Sequence, residues 1–282
     1  MVAFILIILG LCLGSFVNAL LWRIHKQASL RPVKSRKPKL AVNEPNLSIM
    51  TGRSMCPNCQ HLLAVKDLIP VISWLQLRGK CRYCHKRYDD TPVTELVMPL
   101  LFVLSYIYWP LPWDDKAVFL FVCWLIFIVG FVALIVYDIR WLLLPNRIVW
   151  PLAVLAVIQV VVVATLYGGG LNSLLSNLYG LLIGGGIFYL LFQISQGEWI
   201  GGGDVKLGAV LGIIVGGPWQ ALLLLFVASC LGTLFSLPML LTGRVTKSSK
   251  IPFGPFLIVA AILVTLFGTS LVTWYKHFLL LV

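Results

Sequence analysis

Long apolar runs, separated by short gaps rich in Gly and Pro, fill most of this 282-residue chain. They fall at 2–22, 95–111, 117–137, 148–167, 177–194, 205–215, 219–241 and 253–274. A bilayer core takes about 20 apolar residues per helix. Lipid also leaves no partner for exposed backbone groups, so spanning segments of this kind must be helical. The pattern therefore predicts an all-α polytopic membrane protein with about eight transmembrane helices. The run at 205–215 is short and needs cover from its neighbours. Gaps such as Gly168-Gly169-Gly170 and Gly216-Gly217-Pro218 mark the turns. One stretch breaks the series: 23–90 is polar, contains Pro, and separates the first span from the second. The predicted divisions are thus a first helix at 1–22, a polar loop at 23–92 and a membrane domain at 93–282.

Composition sharpens this picture. Hydrophobic residues make up 60% of the chain and charged residues 11%, and the mean hydropathy is +0.95. A soluble domain carries about 25% charged residues, so a water-soluble enzyme and a disordered chain are both excluded. The few charges are lopsided, with 22 Lys and Arg against 10 Asp and Glu. Fourteen of the basic residues lie between Arg23 and Arg87. Such a segment suits either nucleic acid or an anionic lipid surface beside a membrane span; the adjoining span favours the lipid surface, and no nucleic-acid partner is expected. No basic residue precedes the first run and a cluster follows it, the reverse of a cleaved signal peptide. The run reads as a permanent helix with its N-terminus outside. Eight spans then put twenty basic residues inside and only Lys116 and Lys276 outside, as the positive-inside rule requires. The segment at 31–39 reads as a membrane-hugging linker.

Within the polar loop, Cys56-Pro-Asn-Cys59 and Cys81-Arg-Tyr-Cys84 form two C-x-x-C pairs separated by 21 residues. Four thiolates at this spacing can close a tetrahedral zinc site. The loop is too small to bury much apolar surface, so a metal would supply folding free energy. A four-thiolate site has no open position, making the zinc structural and leaving His61 and His85 without a vacancy to fill. The alternatives are two disulfides or four free thiols; a reducing cytoplasm disfavours disulfides. Cys12, Cys123 and Cys230 lie in apolar runs and read as buried small hydrophobes.

With only ten acids, each can be weighed. Glu44, Asp67, Asp89 and Asp90 belong to the loop, Asp114 and Asp115 to a solvated outside turn, and Glu95 to a helix start, where its charge suits the dipole. Asp138, Glu198 and Asp204 remain. Asp138 ends an apolar run; Asp204 follows Gly201-Gly202-Gly203 and opens another. Both fall at cytoplasmic ends of spans, where ionisable groups are functional candidates. Two carboxylates in one site can share a proton while one activates water, as in aspartic proteases. The glycines would let an extended substrate backbone approach closely. The bland alternative pairs Asp138 with Arg140 or Arg147 and makes Asp204 a helix cap. A phosphate loop is not supported, because no strand precedes the glycines and no Gly-Lys-Ser/Thr follows.

The ordered set of motifs resembles the bacterial prepilin peptidases nearly end to end. Gly14-Ser15-Phe16-Val17-Asn18 with Arg23 is similar to that family's first-helix signature. The loop resembles its zinc pattern from Arg53-Ser54 through Cys59, and again from Leu68-Ile69-Pro70 through Leu77-Arg78-Gly79-Lys80 to Cys84. Pro92 with Glu95-Leu96, and Pro252-Phe253-Gly254-Pro255-Phe256, resemble the starts of its second and last helices. Asp138 with Leu144-Pro145 resembles one catalytic block, and Glu198, Gly201, Gly203, Asp204, Lys206 and Leu207 the other. The resemblance implies an intramembrane aspartic protease in the bacterial inner membrane, with Asp138 and Asp204 as the dyad. Gly201, Gly203, Lys206 and Glu198 would bind substrate or shape the site, and Cys56, Cys59, Cys81 and Cys84 would hold zinc. It further implies type IV prepilin or pseudopilin substrates cut on the cytoplasmic side after a glycine, and in many members methylation of the new N-terminus from S-adenosylmethionine.

Two positions depart from the family's habit. Asn146 stands where Asp usually follows Leu-Pro, and Asp90-Thr91 stand where Arg-Tyr usually precede Pro92. The linker at 26–47 is longer than usual. Two rival readings rest on the same composition. One is a proton- or cation-coupled transporter, which leaves the cysteines unexplained; the other is a non-catalytic zinc-ribbon scaffold.

Overall fold

The computed structural model describes residues 1–29, 47–48, 51–88, 91–243 and 251–278. The basic run at 31–39, most of the linker at 26–47, and Glu44, Asp89, Asp90, Arg244, Lys247 and Lys250 lie outside the described residues. The chain divides into two compact units, Met1–Tyr106 and Ile107–Val282.

The described residues are helical with no strand, and two isolated β-bridges occur in the cysteine region. In the first unit, α1 spans Val2–Ser29, a 3₁₀ turn spans Val65–Asp67, α2 spans Ile72–Gln76 and α3 spans Val93–Ile107. Helix α1 continues seven residues past the apolar run. Polar residues end a hydrophobic segment but do not by themselves end a helix, and Arg23, Ile24 and Lys26 are good enough helix formers to carry it on. Arg23 is buried, and its guanidinium donates to the Ser48 carbonyl at 3.4 Å. Within this unit α1 lies close on α3. A Cβ at Gly10 would sit 2.5 Å from Pro99 Cα, and one at Gly14 would sit 2.6 Å from the Thr94 carbonyl oxygen. Small residues at such crossings are how helices gain contact in lipid.

The second unit holds α4 (Asp115–Trp141), α5 (Asn146–Leu166), α6 (Gly170–Ile194), α7 (Gly202–Val215), α8 (Pro218–Leu241) and α9 (Gly254–Phe278). Asp114 caps α4 by accepting from the Ala117 N–H at 2.6 Å, so the role of this acid is structural rather than mere solvation. Helix α4 is the most buried of the long helices and carries the aromatic core residues Trp124, Phe127 and Phe131. Leu152 of α5 fills the notch at its Gly130, where a Cβ would meet the leucine at 2.6 Å. Helix α6 begins seven residues before the predicted run, because Asn172, Ser173 and Ser176 are helical despite their polarity.

Among the described residues six helices, α1, α4, α5, α6, α8 and α9, are long and apolar enough to cross a membrane. The chain is a multi-pass membrane protein. Helices α3 and α7 complete the eight apolar helices but have 15 and 14 residues, about 21–23 Å at 1.5 Å per residue. Helix α7 survives its shortness because its backbone is covered. A Cβ at Gly208 would lie 2.6 Å from the Gly184 carbonyl oxygen, and one at Gly184 would lie 2.6 Å from that of Gly208. Gly180 and Gly212 make the same mutual approach one turn along. At its far end Gly216 takes a positive φ of 77°, and its carbonyl accepts from Ser176 Oγ at 3.1 Å. Cys123 is buried as expected, whereas Cys12 and Cys230 are exposed. Apolar outward faces suit lipid contact, so residence in an apolar run does not imply burial within the protein.

Gly208→Leu should lower the thermal stability of the purified protein in detergent by about 1–3 kcal/mol or more, because the obstructing atoms are backbone. Gly186→Ala, which faces open space, should change it by less than about 0.5 kcal/mol.

Candidate functional site

In the second unit the C-terminal end of α4 meets the N-terminal ends of α5, α7 and α9. Helix α4 stops after Trp141 because Leu142 adopts the left-handed conformation and returns its N–H to the Asp138 carbonyl at 2.8 Å. This turn leaves the Asp138 side chain inside, only 6% exposed. Its Oδ2 is buried and has no hydrogen-bond partner among the described residues. It points at Gly254, the first residue of α9, where a Cβ would come within 2.6 Å of that oxygen. Only glycine allows the carboxylate to sit against the start of the helix, where the dipole favours negative charge.

Asp204 lies in the first turn of α7, two residues after Gly202. The backbone N–H of Gly201, the N-cap position, faces its carboxylate, and Asp138 lies near enough to act on it through its charge. Leu144 packs between the starts of α7 and α9: its side chain would be 3.2 Å from a Cβ at Gly203 and 3.6 Å from one at Gly254. Asn146, the first residue of α5, accepts a hydrogen bond from Lys206 Nζ at 3.1 Å. The two acids, Gly201, Gly203 and Lys206 thus converge. Glu198 is exposed in the turn before α7, and its backbone N–H donates to the Ser195 carbonyl at 3.0 Å. Among the described residues no ion pair joins Asp138 to Arg140 or Arg147. Asp204 sits in the first turn of α7, where its backbone N–H donates to the Gly201 carbonyl at 3.0 Å and no side-chain cap bond is formed at Gly201. Sequence reasoning missed Leu144 as the wedge, the Asn146–Lys206 bond and the reason for Gly254.

In the first unit, Cys56, Cys59, Cys81 and Cys84 bring their sulfurs within 4.8 Å of one another. Cys56 and Cys84 are 3.9 Å apart, too far for a disulfide bond of about 2.05 Å and close to the edge of a metal–thiolate tetrahedron. The two knuckles are conformational repeats. Cys56 N–H donates to His61 O at 3.0 Å, and Cys81 N–H to Lys86 O at 2.9 Å. Gln60 and His85, each just after a second cysteine, take positive φ values of 58° and 56°. Burial pushes the Cys56 thiol up to about 12. Cys81 is also buried, but the backbone N–H groups of Cys84 and Tyr83 outweigh this and hold its thiol down at about 6. The donor set is soft and four-fold and can hold a metal ion. His61 is not among the ligands; it lies tilted against Tyr83 with centroids 3.7 Å apart. Asp67 braces the second knuckle, accepting from Arg82 at 2.7 Å and from the Tyr83 hydroxyl at 3.2 Å. Burial opposes its ionisation, yet these hydrogen bonds hold its carboxyl below the ordinary range. Its stabilising effect is present above about pH 4 and lost as pH falls through the lowered value.

Comparison with known proteins matches both units. The family model for the type IV leader peptidase family covers residues 119–273, and that for the bacterial peptidase A24 N-terminal domain covers 8–109. The chain belongs to the type IV leader peptidase family. It is 33% identical to a protein of Aeromonas hydrophila named prepilin leader peptidase/N-methyltransferase, over 94% of this chain and 91% of that one. Proteins of the same name from Bacillus subtilis (strain 168) and Pseudomonas aeruginosa are 32% and 31% identical, over 96% and 98% of this chain and 96% and 94% of theirs. No solved structure matches. The chain is a membrane peptidase, and the transporter and scaffold readings are not favoured.

Two outcomes check this geometry. Elemental analysis of folded, reduced protein should find about one metal ion per chain, and Cys56→Ser should lose it. Gly254→Ala should cut peptidase activity by about 10²-fold by displacing the Asp138 carboxylate, with metal content unchanged.

Proposed function

We propose that this chain is a membrane-embedded aspartic endopeptidase of the bacterial inner membrane that removes the basic leader of type IV prepilins or pseudopilins at the cytoplasmic face. The observation that carries the reading is the buried Asp138 side chain set against the start of α9, with Leu144 packed against both that helix start and the Asp204-bearing first turn of α7. Two acids so placed cannot easily both ionise, so they share one proton. The ionised member takes a proton from water as the water attacks the scissile carbonyl. The protonated member donates to the carbonyl oxygen. Collapse of the tetrahedral intermediate then returns a proton to the leaving amine. Neither a metal nor a covalent intermediate is required.

The surrounding residues have roles that fit. Gly201 and Gly203 let an extended substrate backbone lie close to Asp204. Lys206, held by Asn146, fixes the first turn of α7. Glu198 offers an exposed negative charge to a basic leader. The four cysteines fit zinc, whose closed thiolate shell makes it structural. The distribution of basic residues supports a cytoplasmic side for this loop and the acids. Relatives named as both peptidase and N-methyltransferase support a second step, methylation of the new N-terminal amine. S-adenosylmethionine, when bound, supplies the methyl group.

With purified protein and a prepilin, Asp138→Asn and Asp204→Asn should each lower leader release by about 10²–10⁴-fold or more, with metal content and thermal stability close to wild type. Release at the wild-type rate by either variant would remove the dyad.

A further inference from the structure

Four aliphatic side chains of the polar loop face outward: Val65 is 84% exposed, Ile69 43%, Ile72 52% and Leu75 60%. Scattered singly, such residues would carry no meaning, but here they are gathered. Ile72 and Leu75 share one face of α2 at helical spacing. The Ser73 N–H returns to the Ile69 carbonyl at 3.1 Å, and the 3₁₀ turn that begins at Val65 packs against α2. The other face of α2 is turned inward. Ser73 and Trp74 line a cavity together with Ser15, Asn18 and Trp22 of α1.

These contacts fix the level at which α2 lies. Trp22 closes the apolar run of α1, and tryptophan is enriched where a span meets the membrane–water interface. Ser15 lies about 10 Å back along the same helix, inside the apolar run. On its other side α2 is fastened to the first turn of α3, where the Glu95 carboxylate accepts from the Val71 N–H at 2.6 Å. Val71 turns the chain into α2 with a φ of 62°, a strained conformation for a β-branched residue. The short helix is thus held at the depth of the interface with Ile72 and Leu75 outward.

Charge selects what meets this face. Residues 60–88 hold six Lys and Arg against one acid, Asp67, and Asp67 is paired with Arg82. Lys66 and Arg78 flank the aliphatic group and are exposed. Positive charge of this density repels a second copy of the same loop, and it repels a basic leader peptide. It fits a bilayer with anionic headgroups, where aliphatic side chains enter the acyl boundary and cations stay at the level of the phosphates.

We infer that Val65, Ile69, Ile72 and Leu75 form an interfacial anchor that enters the leaflet in which α1 ends, held there by anionic lipid. The anchor fixes the four-cysteine loop against the membrane, and it does so whatever reaction the two acids perform.

The test places a diazirine analogue of leucine at position 72, 75 or 77 of the full-length, metal-loaded chain. Each protein is put into nanodiscs of phosphatidylethanolamine and phosphatidylglycerol and irradiated. Positions 72 and 75 should give about tenfold more lipid adduct than position 77, which lies on the inward side. Neutral phosphatidylcholine nanodiscs, or Lys66→Gln with Arg78→Gln, should lower the yield at 72 and 75 by about threefold or more. Metal content equal to wild type confirms that each variant is folded. Lipid adduct at 72 and 75 no greater than at 77 would overturn the anchor. So would adducts at 72 and 75 that form with a second copy, or with an added prepilin, in preference to lipid. A yield indifferent to lipid charge and to the two Gln substitutions would overturn the role of anionic lipid.

Discussion

Backbone lies on backbone where α6 crosses α7, and the placement of Asp204 depends on that contact. Gly180 and Gly184 meet Gly212 and Gly208 with no room for a side chain between them. Helices in lipid gain little from hydrophobic burial and rely on close packing. Helix α7 is only 14 residues long, too short to be placed by the bilayer, so its glycine face against α6 sets its position. Its first turn, carrying Asp204, is then delivered to the end of α4. There the same device acts again: Gly254 lets the start of α9 close on the Asp138 carboxylate. Glycine therefore serves twice as a spacer, once to seat a helix and once to seat an acid.

The first unit solves a different problem. Its polar loop has few apolar residues to bury, and Cys56 and Cys81 are among the few fully enclosed side chains there. A metal held by four sulfurs takes the place of a core. The two knuckles, with matching hydrogen bonds and matching left-handed residues, bring the ligands to one point. The Asp67 pairing with Arg82 and Tyr83 then braces the outer face of the second knuckle.

Much of this was legible in the sequence. Eight apolar runs became eight apolar helices, and two C-x-x-C pairs became one four-sulfur cluster. The acids Asp138 and Asp204 stood out because acids are scarce in an apolar chain. Helix ends were less legible: α1 and α6 run well beyond their apolar segments, because hydropathy reports what lipid tolerates and not what the backbone can form. Gln60 and His85 gave no sign of positive φ, since neither is a glycine. The approach of Gly254 to Asp138 joins residues far apart in the chain, and no local pattern encodes it. The wedge of Leu144 was hidden for the same reason. Asn146 was visible as a departure from the family's habit, but its partner Lys206 was not.

The central claim is that Asp138 and Asp204 act on one water at one peptide bond. A structure of the full chain with a bound, uncleavable prepilin segment tests it most directly. The account predicts both carboxylates within about 2.6–3.2 Å of a single water or of the scissile carbonyl oxygen, with the substrate backbone extended along Gly201–Gly203. A scissile bond lying beyond the reach of either acid, with the two carboxylates unable to meet a common water, would contradict it.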